Sequence, residues 1–325
     1  MVQEIRKNLY KIPVALPNSP LRVLNSYVIT SDDRNIMIDT GFRLPECLES
    51  MKEGIAEIGL DMSKTDILLT HMHSDHSGLI SEIATPTTRV YIARGEIHWM
   101  LKDSRRAIRE KDAGGFLRLG FSEEEMRFHT NAVSWNLTSK DEHTDFSLID
   151  DGDIFTCGDY NLRAIRTPGH TPAHMCFWLE QEKIMFTGDH VLFDISPNIT
   201  NWRELYDTLG AYMASLRAID KYDVQLALPG HREPGDFHER IAHLLDHHEK
   251  RLDECLYIIR ENPGLSTYEI TSLMTWQIRS KNWDDFPLGQ KWFAVGEAFS
   301  HIRHLEVLGK IWVDANQPIA KIYPI

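Results

Sequence analysis

The sequence predicts a mixed α/β fold, a strand-rich sandwich followed by a smaller, mainly helical part. Three observations predict it. Short β-rich runs alternate with helical ones up to about residue 230. Several of those runs end in Gly-containing turns that carry His or Asp. From about residue 237 the pattern changes to long helices closed by two short strands. With 325 residues, 42% of them hydrophobic, the chain is long enough for two domains and has ample core. We place the first at residues 1–236, with a helical insertion at about 94–145, and the second at 237–325.

The elements follow from local pattern. Tyr10–Leu16, Val23–Thr30 and Asn35–Asp39 read as strands, separated by Pro, Ser and Asp-Asp turns. Pro45–Ile58 has helical periodicity. Thr65–Thr70 is a compact apolar strand, Ser77–Ala84 a short helix and Arg89–Ala93 another strand. The insertion is rich in charge and aromatics at helical spacing. Strands resume at Asp153–Thr156, Asn161–Thr167, Met175–Glu180 and Lys183–Thr187. Trp202–Ile219 reads as a helix and Val224–Leu228 as the last strand of this part. Asp236–Glu261 is a long polar helix stopped by Asn262-Pro263-Gly264. Ser266 and Glu269 have capping-box spacing at the start of a second helix. A third runs from about Gln290 to Leu308. Lys310–Val313 and Ala320–Tyr323 fit a hairpin, so this part reads as winged-helix-like.

Composition narrows the function. Cys47, Cys157, Cys176 and Cys255 follow no metal-binding or redox spacing and read as reduced thiols. The formal net charge of -13 opposes loose binding to phosphate backbones. No apolar run is long enough to span a bilayer, and the first residues lack a signal-peptide pattern, so a cytoplasmic location is expected.

The strongest signal is Thr70-His71-Met72-His73-Ser74-Asp75-His76. It directly follows a strand. In extended chain, side chains two apart point the same way, so His71 and His73 can grip one ion together. The turn toward a helix lets Asp75 and His76 reach a second position. Three further strand ends carry ligand types past a Gly: Gly169-His170, Gly188-Asp189 and Gly230-His231. Imidazole and carboxylate together suit zinc, iron or manganese.

The order HxHxDH, GH, GDH, GH resembles the metallo-β-lactamase superfamily, as does the strand end Ile38-Asp39-Thr40-Gly41. The resemblance spans about residues 10–235. It implies a four-layer αβ/βα sandwich with the site at one edge of two sheets. It also implies two divalent metal ions, zinc first among the candidates. One would take His71, His73 and His170. The other would take Asp75, His76 and His231, with Asp189 bridging. By the same resemblance Asp39 orients a ligand and Asp75 also holds the nucleophile. His174 faces the substrate or supports a ligand, and His190 packs behind Asp189. Such a pair of cations would share a water ionised near neutral pH.

The substrate is less legible. Trp99, Met100, Phe116, Leu117, Phe121 and Trp135 could form an apolar wall over the site or simply pack helices together. Arg232 could meet a substrate carboxylate or phosphate. His243 and His247 stand one helical turn apart, as a metal pair or a solvated face. The two-domain order also resembles endoribonuclease-like members of the superfamily. Residues 237–325, however, hold about 10 Lys/Arg against about 12 Asp/Glu, without a basic stripe. The expected reaction is therefore hydrolysis of an ester, thioester or lactone in a small molecule, as in glyoxalase II-like members. A phosphodiesterase or endoribonuclease on RNA is the alternative, and a metal-stabilised binding protein the non-enzymatic one. A persulfide-oxidising iron enzyme would lack part of the second ligand set. No membrane partner is expected, and a homodimer is compatible with the C-terminal part.

Overall fold

The computed structural model describes residues 1–101, 115–126, 145–277 and 282–325. Trp135 lies outside them. The chain forms two compact units. One comprises residues 1–102, 134–197 and 215–241; the other, 103–133, 198–214 and 242–325. The units thus interleave along the chain, where the sequence texture suggested consecutive stretches.

The first unit is a sandwich of two sheets. The larger holds β1 (Gln3–Arg6), β2 (Leu9–Ala15), β3 (Val23–Ile29), β4 (Asn35–Ile38), β5 (Thr65–Leu68), β6 (Val90–Ala93) and β7 (Phe146–Ile149), in that order. The first four pair antiparallel, and β4 to β7 pair parallel. The second sheet has the order β12 (Leu226–Pro229), β11 (Ile184–Gly188), β10 (Met175–Leu179), β9 (Tyr160–Arg166) and β8 (Ile154–Cys157). Only β11 and β12 are parallel there.

Period-two alternation sends one set of side chains from each sheet into a shared core. Leu9, Ile29, Ile36, Ile38 and Leu68 meet Leu162, Ala164, Phe177, Leu179 and Phe186 there. The other faces are covered too. Residues of β4, β5 and β10 are buried without alternation, as strands with both faces covered must be. The helix Pro45–Ile58 lies on β2, where a Cβ at Gly54 would come within 2.4 Å of Ile12. The layered α/β architecture expected from the motifs is therefore present.

Most predicted elements appear within one or two residues of their expected ends. The helix expected from Trp202 begins at Thr208 instead. The Asp207 carboxylate accepts the Gly210 N–H at 2.9 Å, and Thr208 Oγ1 accepts the Trp202 N–H at 3.0 Å. Those bonds cap the helix and leave the preceding turn non-helical. Ser77–Ala84 resolves into two single turns, Ser74–Ser77 and Ile80–Ile83. Strands β1 and β7 were not anticipated. Each is four residues long, too short to display a period.

Toward the C-terminus, helices Phe237–Glu261 (its first residues in the first unit), Thr267–Leu273 and Leu288–Val307 precede a hairpin of β13 (Ile311–Asp314) and β14 (Lys321–Pro324). The capping box at Ser266 and Glu269 is formed in both directions. Phe116, Leu117 and Phe121 pack with Trp292, Val295 and Tyr268, and Phe121 stacks on Trp292 at 4.6 Å between ring centroids. Of the two readings the sequence left open for Phe116, Leu117 and Phe121, packing between helices is the one found. Among the described residues, no helix is long and apolar enough to cross a membrane. All four cysteines are buried and unbridged.

The inter-sheet core is the part of the fold most exposed to truncation. Phe177→Ala, at a position with no solvent exposure, should cost about 3–5 kcal/mol. Urea unfolding followed by circular dichroism measures it, and a loss under ~1 kcal/mol would contradict this account of the core.

Candidate metal centre

Five strand ends meet at one edge of the sandwich. β4 leads to Asp39, β5 to His71 and His73, β9 to His170, β11 to Asp189 and β12 to His231. Strands β9 and β11 flank antiparallel β10, so they run the same way and end on the same edge. Backbone bonds beyond the ladders then tie the loops together. Met175 N–H donates to Thr70 O at 2.8 Å, and Gly230 N–H to Gly188 O at 2.8 Å.

Three overlapping groups of side chains converge, with one ligand atom from each residue within 4.8 Å of the others. They are His71, His73 and His170; His71, His76 and Asp189; and Asp75, His76 and His231. In the first, His71 Nε2 and His170 Nε2 each lie 2.9 Å from His73 Nδ1. In the last, His231 Nε2 is 3.3 Å from Asp75 Oδ2. Asp189 faces both sides. Its Oδ1 is 3.4 Å from His76 Nε2 and 3.6 Å from His231 Nε2, while Oδ2 is 3.7 Å from His170 Nε2. All seven residues expected as ligands are therefore brought together.

Groups behind the histidines set which ring nitrogen faces inward. His231 Nδ1–H donates to Val23 O at 2.8 Å, leaving Nε2 toward the carboxylates. Asp39 Oδ2 lies 2.7 Å from His76 Nδ1 and does the same for that ring. The Asp39 carboxylate also accepts the Thr70 N–H at 2.9 Å and the Thr70 hydroxyl at 2.7 Å. With its proton directed to Asp39, Thr70 Oγ1 accepts from His71 Nδ1–H at 3.0 Å. One buried carboxylate thus orients one histidine directly and another through a hydroxyl. Asp39 itself has a positive φ of 60°, a strained backbone that turns its side chain back under the site.

The remaining candidates are placed as follows. His174 is fully buried, and both its ring nitrogens are occupied. Nδ1 lies 2.9 Å from Thr167 Oγ1, and Nε2 accepts the Asp189 N–H at 3.2 Å. That makes it a support for Asp189 and corrects the substrate-facing reading. His190 is buried, with its ring 5.7 Å from that of His174. Arg232 donates to Pro20 O at 2.8 Å and has a positive φ of 68°. His243 is exposed, and among the described residues no group of three ligand types forms around it.

Glycines leave the room these groups occupy. A Cβ at Gly230 would stand 2.8 Å from both Asp189 Oδ1 and His76 Cε1. One at Gly188, where φ is 47°, would stand 2.6 Å from His174 Nε2.

Electrostatics separates the two sides. Burial, reinforced by His76, His73 and His170, holds His71 well below its ordinary pKa. Burial, with His170 adding to it, brings His73 down to about 3. These rings are neutral donors of lone pairs. Burial also opposes charge on His76 and His231, but Asp39, Asp189 and Asp75 outweigh it at His76, and Asp189 and Asp75 at His231, so both are raised. Among the described residues, His76 Nε2, His231 Nε2 and Asp189 Oδ1 are buried without a hydrogen bond of good geometry. Buried polar atoms left in that condition are costly unless another group or an ion satisfies them. Imidazole nitrogens and carboxylate oxygens meeting this way fit a divalent cation.

Sequence reasoning missed Thr70 and Glu96. Glu96 is fully buried, and its carboxylate accepts the N–H groups of Met72 and Ala173. A short polar residue before a histidine and a lone carboxylate after a Gly carry no local sign of such contacts.

The family model for the metallo-beta-lactamase superfamily matches residues 20–231. The chain belongs to the metallo-β-lactamase superfamily. The lactamase-like protein aptB of Emericella nidulans is 26% identical over 80% of this chain and 71% of its own length. The atrochrysone carboxyl ACP thioesterase nsrC of Aspergillus novofumigatus is 25% identical over 65% of this chain. The match spans about half of that relative, 49% of its length. Among solved structures, a metallo-beta-lactamase family protein from Thermus thermophilus has a TM-score of 0.79 at 24% identity, covering 99% of this chain and 100% of its own. A beta-lactamase domain protein from Burkholderia ambifaria has a TM-score of 0.84 at 22% identity, covering 100% and 94%. These likenesses establish the superfamily fold along the chain.

The amide nitrogen introduced by Asp39→Asn must face either His76 Nδ1–H or the Thr70 donors. Titration of metal-free protein with zinc should show affinity weakened about 10–100-fold, with unchanged far-UV circular dichroism. Affinity equal to that of the parent protein would contradict the orienting role.

Proposed function

We propose that the protein is a dinuclear metal-dependent hydrolase of an ester or thioester bond, lactones included, in a small molecule. One ion would be held by His71, His73 and His170, the other by Asp75, His76 and His231, with Asp189 shared. The observation that carries this reading is Asp189, whose two oxygens face His76 and His231 on one side and His170 on the other. Zinc is the first candidate, and iron or manganese suits the same donors. Bound there, such ions would supply Lewis acidity and lower the pKa of a water to roughly 7.

The chain's own groups account for the rest. Asp75 is buried, and its Oδ2 lies 3.3 Å from His231 Nε2. Burial opposes its charge, but His76 and His231 hold the carboxyl below its ordinary range, so it stays ionised as a proton acceptor. Asp39 and Thr70 fix the imidazoles, and His174 fixes the Asp189 backbone. No Ser or Cys nucleophile is required.

The thioester preference draws support from relatives named as thioesterases. An RNA-cleaving reading draws support only from the order of three helices and a hairpin, which we read as a winged-helix-like domain at 237–325, inside a two-part chain divided near residue 236. The acidic balance of that region opposes it. We place the protein in the cytoplasm, acting on a small molecule.

Zinc-loaded protein should hydrolyse acyl thioesters with little dependence on salt. Asp75→Ala should reduce kcat by at least about 100-fold, while circular dichroism shows a folded chain. Cleavage of RNA with steep salt dependence and no thioester turnover would reverse the assignment. Turnover unaffected by Asp75→Ala would remove Asp75 from the chemistry.

A further inference from the structure

We propose that Glu96 is a positioning residue that holds the three-histidine group together and sets its affinity for a divalent cation. The inference rests on reading His71, His73 and His170 as ligands. Those three come from chain segments about 100 residues apart. His71 and His73 lie past the end of β5, and His170 lies past the end of β9. Both loops have left the sheet ladders, so their backbone N–H groups need other partners.

Glu96 supplies one to each. Its Oε2 accepts the Met72 N–H at 3.1 Å, and its Oε1 accepts the Ala173 N–H at 2.7 Å. Met72 stands between His71 and His73. Ala173 is three residues after His170 and adjoins His174, whose ring supports Asp189. One carboxylate therefore ties the two segments that carry the whole histidine trio. The preceding residue brings the loops into range, since a Cβ on Gly95 would come within 2.7 Å of Ala173 Cβ. Glu96 has no solvent exposure. A buried carboxylate that spends both oxygens on backbone N–H groups is a strong and directional tie.

Other contacts in the trio do not replace it. The His71 and His170 rings both approach His73 Nδ1 at 2.9 Å. Those contacts join ring atoms and leave the backbone of the two loops to be tied separately. Glu96 is the brace, and the two N–H groups it holds, those of Met72 and Ala173, belong to the two segments that carry the trio.

Glu96→Gln isolates this effect. The side chain keeps its length, but one N–H donor now faces an NH2 group. The test titrates metal-free protein with cobalt(II), reading d–d absorption. The His231→Ala background leaves the trio as the complete set, and the His73→Ala background leaves the Asp75 group. Adding Glu96→Gln should weaken cobalt binding about 10–100-fold in the first background and less than about 3-fold in the second. Far-UV circular dichroism reports the fold throughout. Should Glu96→Gln not fold, Glu96→Asp gives the same readout, because its shorter side chain cannot span both N–H groups. Equal affinity in the His231→Ala background with and without the change would overturn the role of Glu96 alone. No cobalt binding by the parent protein would overturn the ligand assignment, and this inference with it.

Discussion

Five imidazoles and two carboxylates turn their acceptor atoms toward one small volume at the edge of the sandwich. Most are cut off from water, and His76 Nε2, His231 Nε2 and Asp189 Oδ1 lack a hydrogen bond of good geometry. The rest of the structure is arranged around this constraint. Each ring that can be traced is pinned from behind: His231 by the Val23 carbonyl, His76 by Asp39, and His71 by Thr70. Pinning fixes the tautomer, so the free nitrogen of each ring points inward before any cation arrives. Such a site is arranged by the fold to receive a divalent cation.

The sandwich makes that arrangement available. Parallel pairing of β4 with β5 and of β11 with β12 sends Asp39, His71, Asp189 and His231 out of the same edge. The apolar residues on the inner faces hold the sheets in register, so the loops converge without long excursions. Positions where backbone must pass close to a ligand are glycine, as at Gly188 and Gly230. The two sides of the site differ in charge. Burial keeps His71 and His73 neutral, while His76 and His231 share their side with Asp75, and Asp189 reaches both.

Much of this was legible in the sequence, for physical reasons that can be named. His71, His73, Asp75 and His76 are close in sequence and follow one strand, so local geometry reveals them. His170, Asp189 and His231 are each an ordinary turn taken singly, and only the repeated strand-Gly-ligand pattern distinguishes them. Thr70 and Glu96 were not legible, because their roles come from hydrogen bonds to residues 31 and 77 positions away. The aromatic residues of the insertion left two readings open for a related reason. Helical periodicity says that Phe116 and Phe121 bury one face, but not that the face meets Trp292. His174 could be read as facing substrate until both its nitrogens were seen to be occupied.

The proposed function requires the seven side chains to form one site for two cations. The most direct measurement is the number of divalent ions bound per chain, from calorimetric titration of metal-free protein with zinc and elemental analysis of the product. Two ions per chain are expected, and fewer after Asp189→Ala in a protein that remains folded. A parent chain that saturates with one ion, or an Asp189→Ala variant that still binds two with equal affinity, would contradict it.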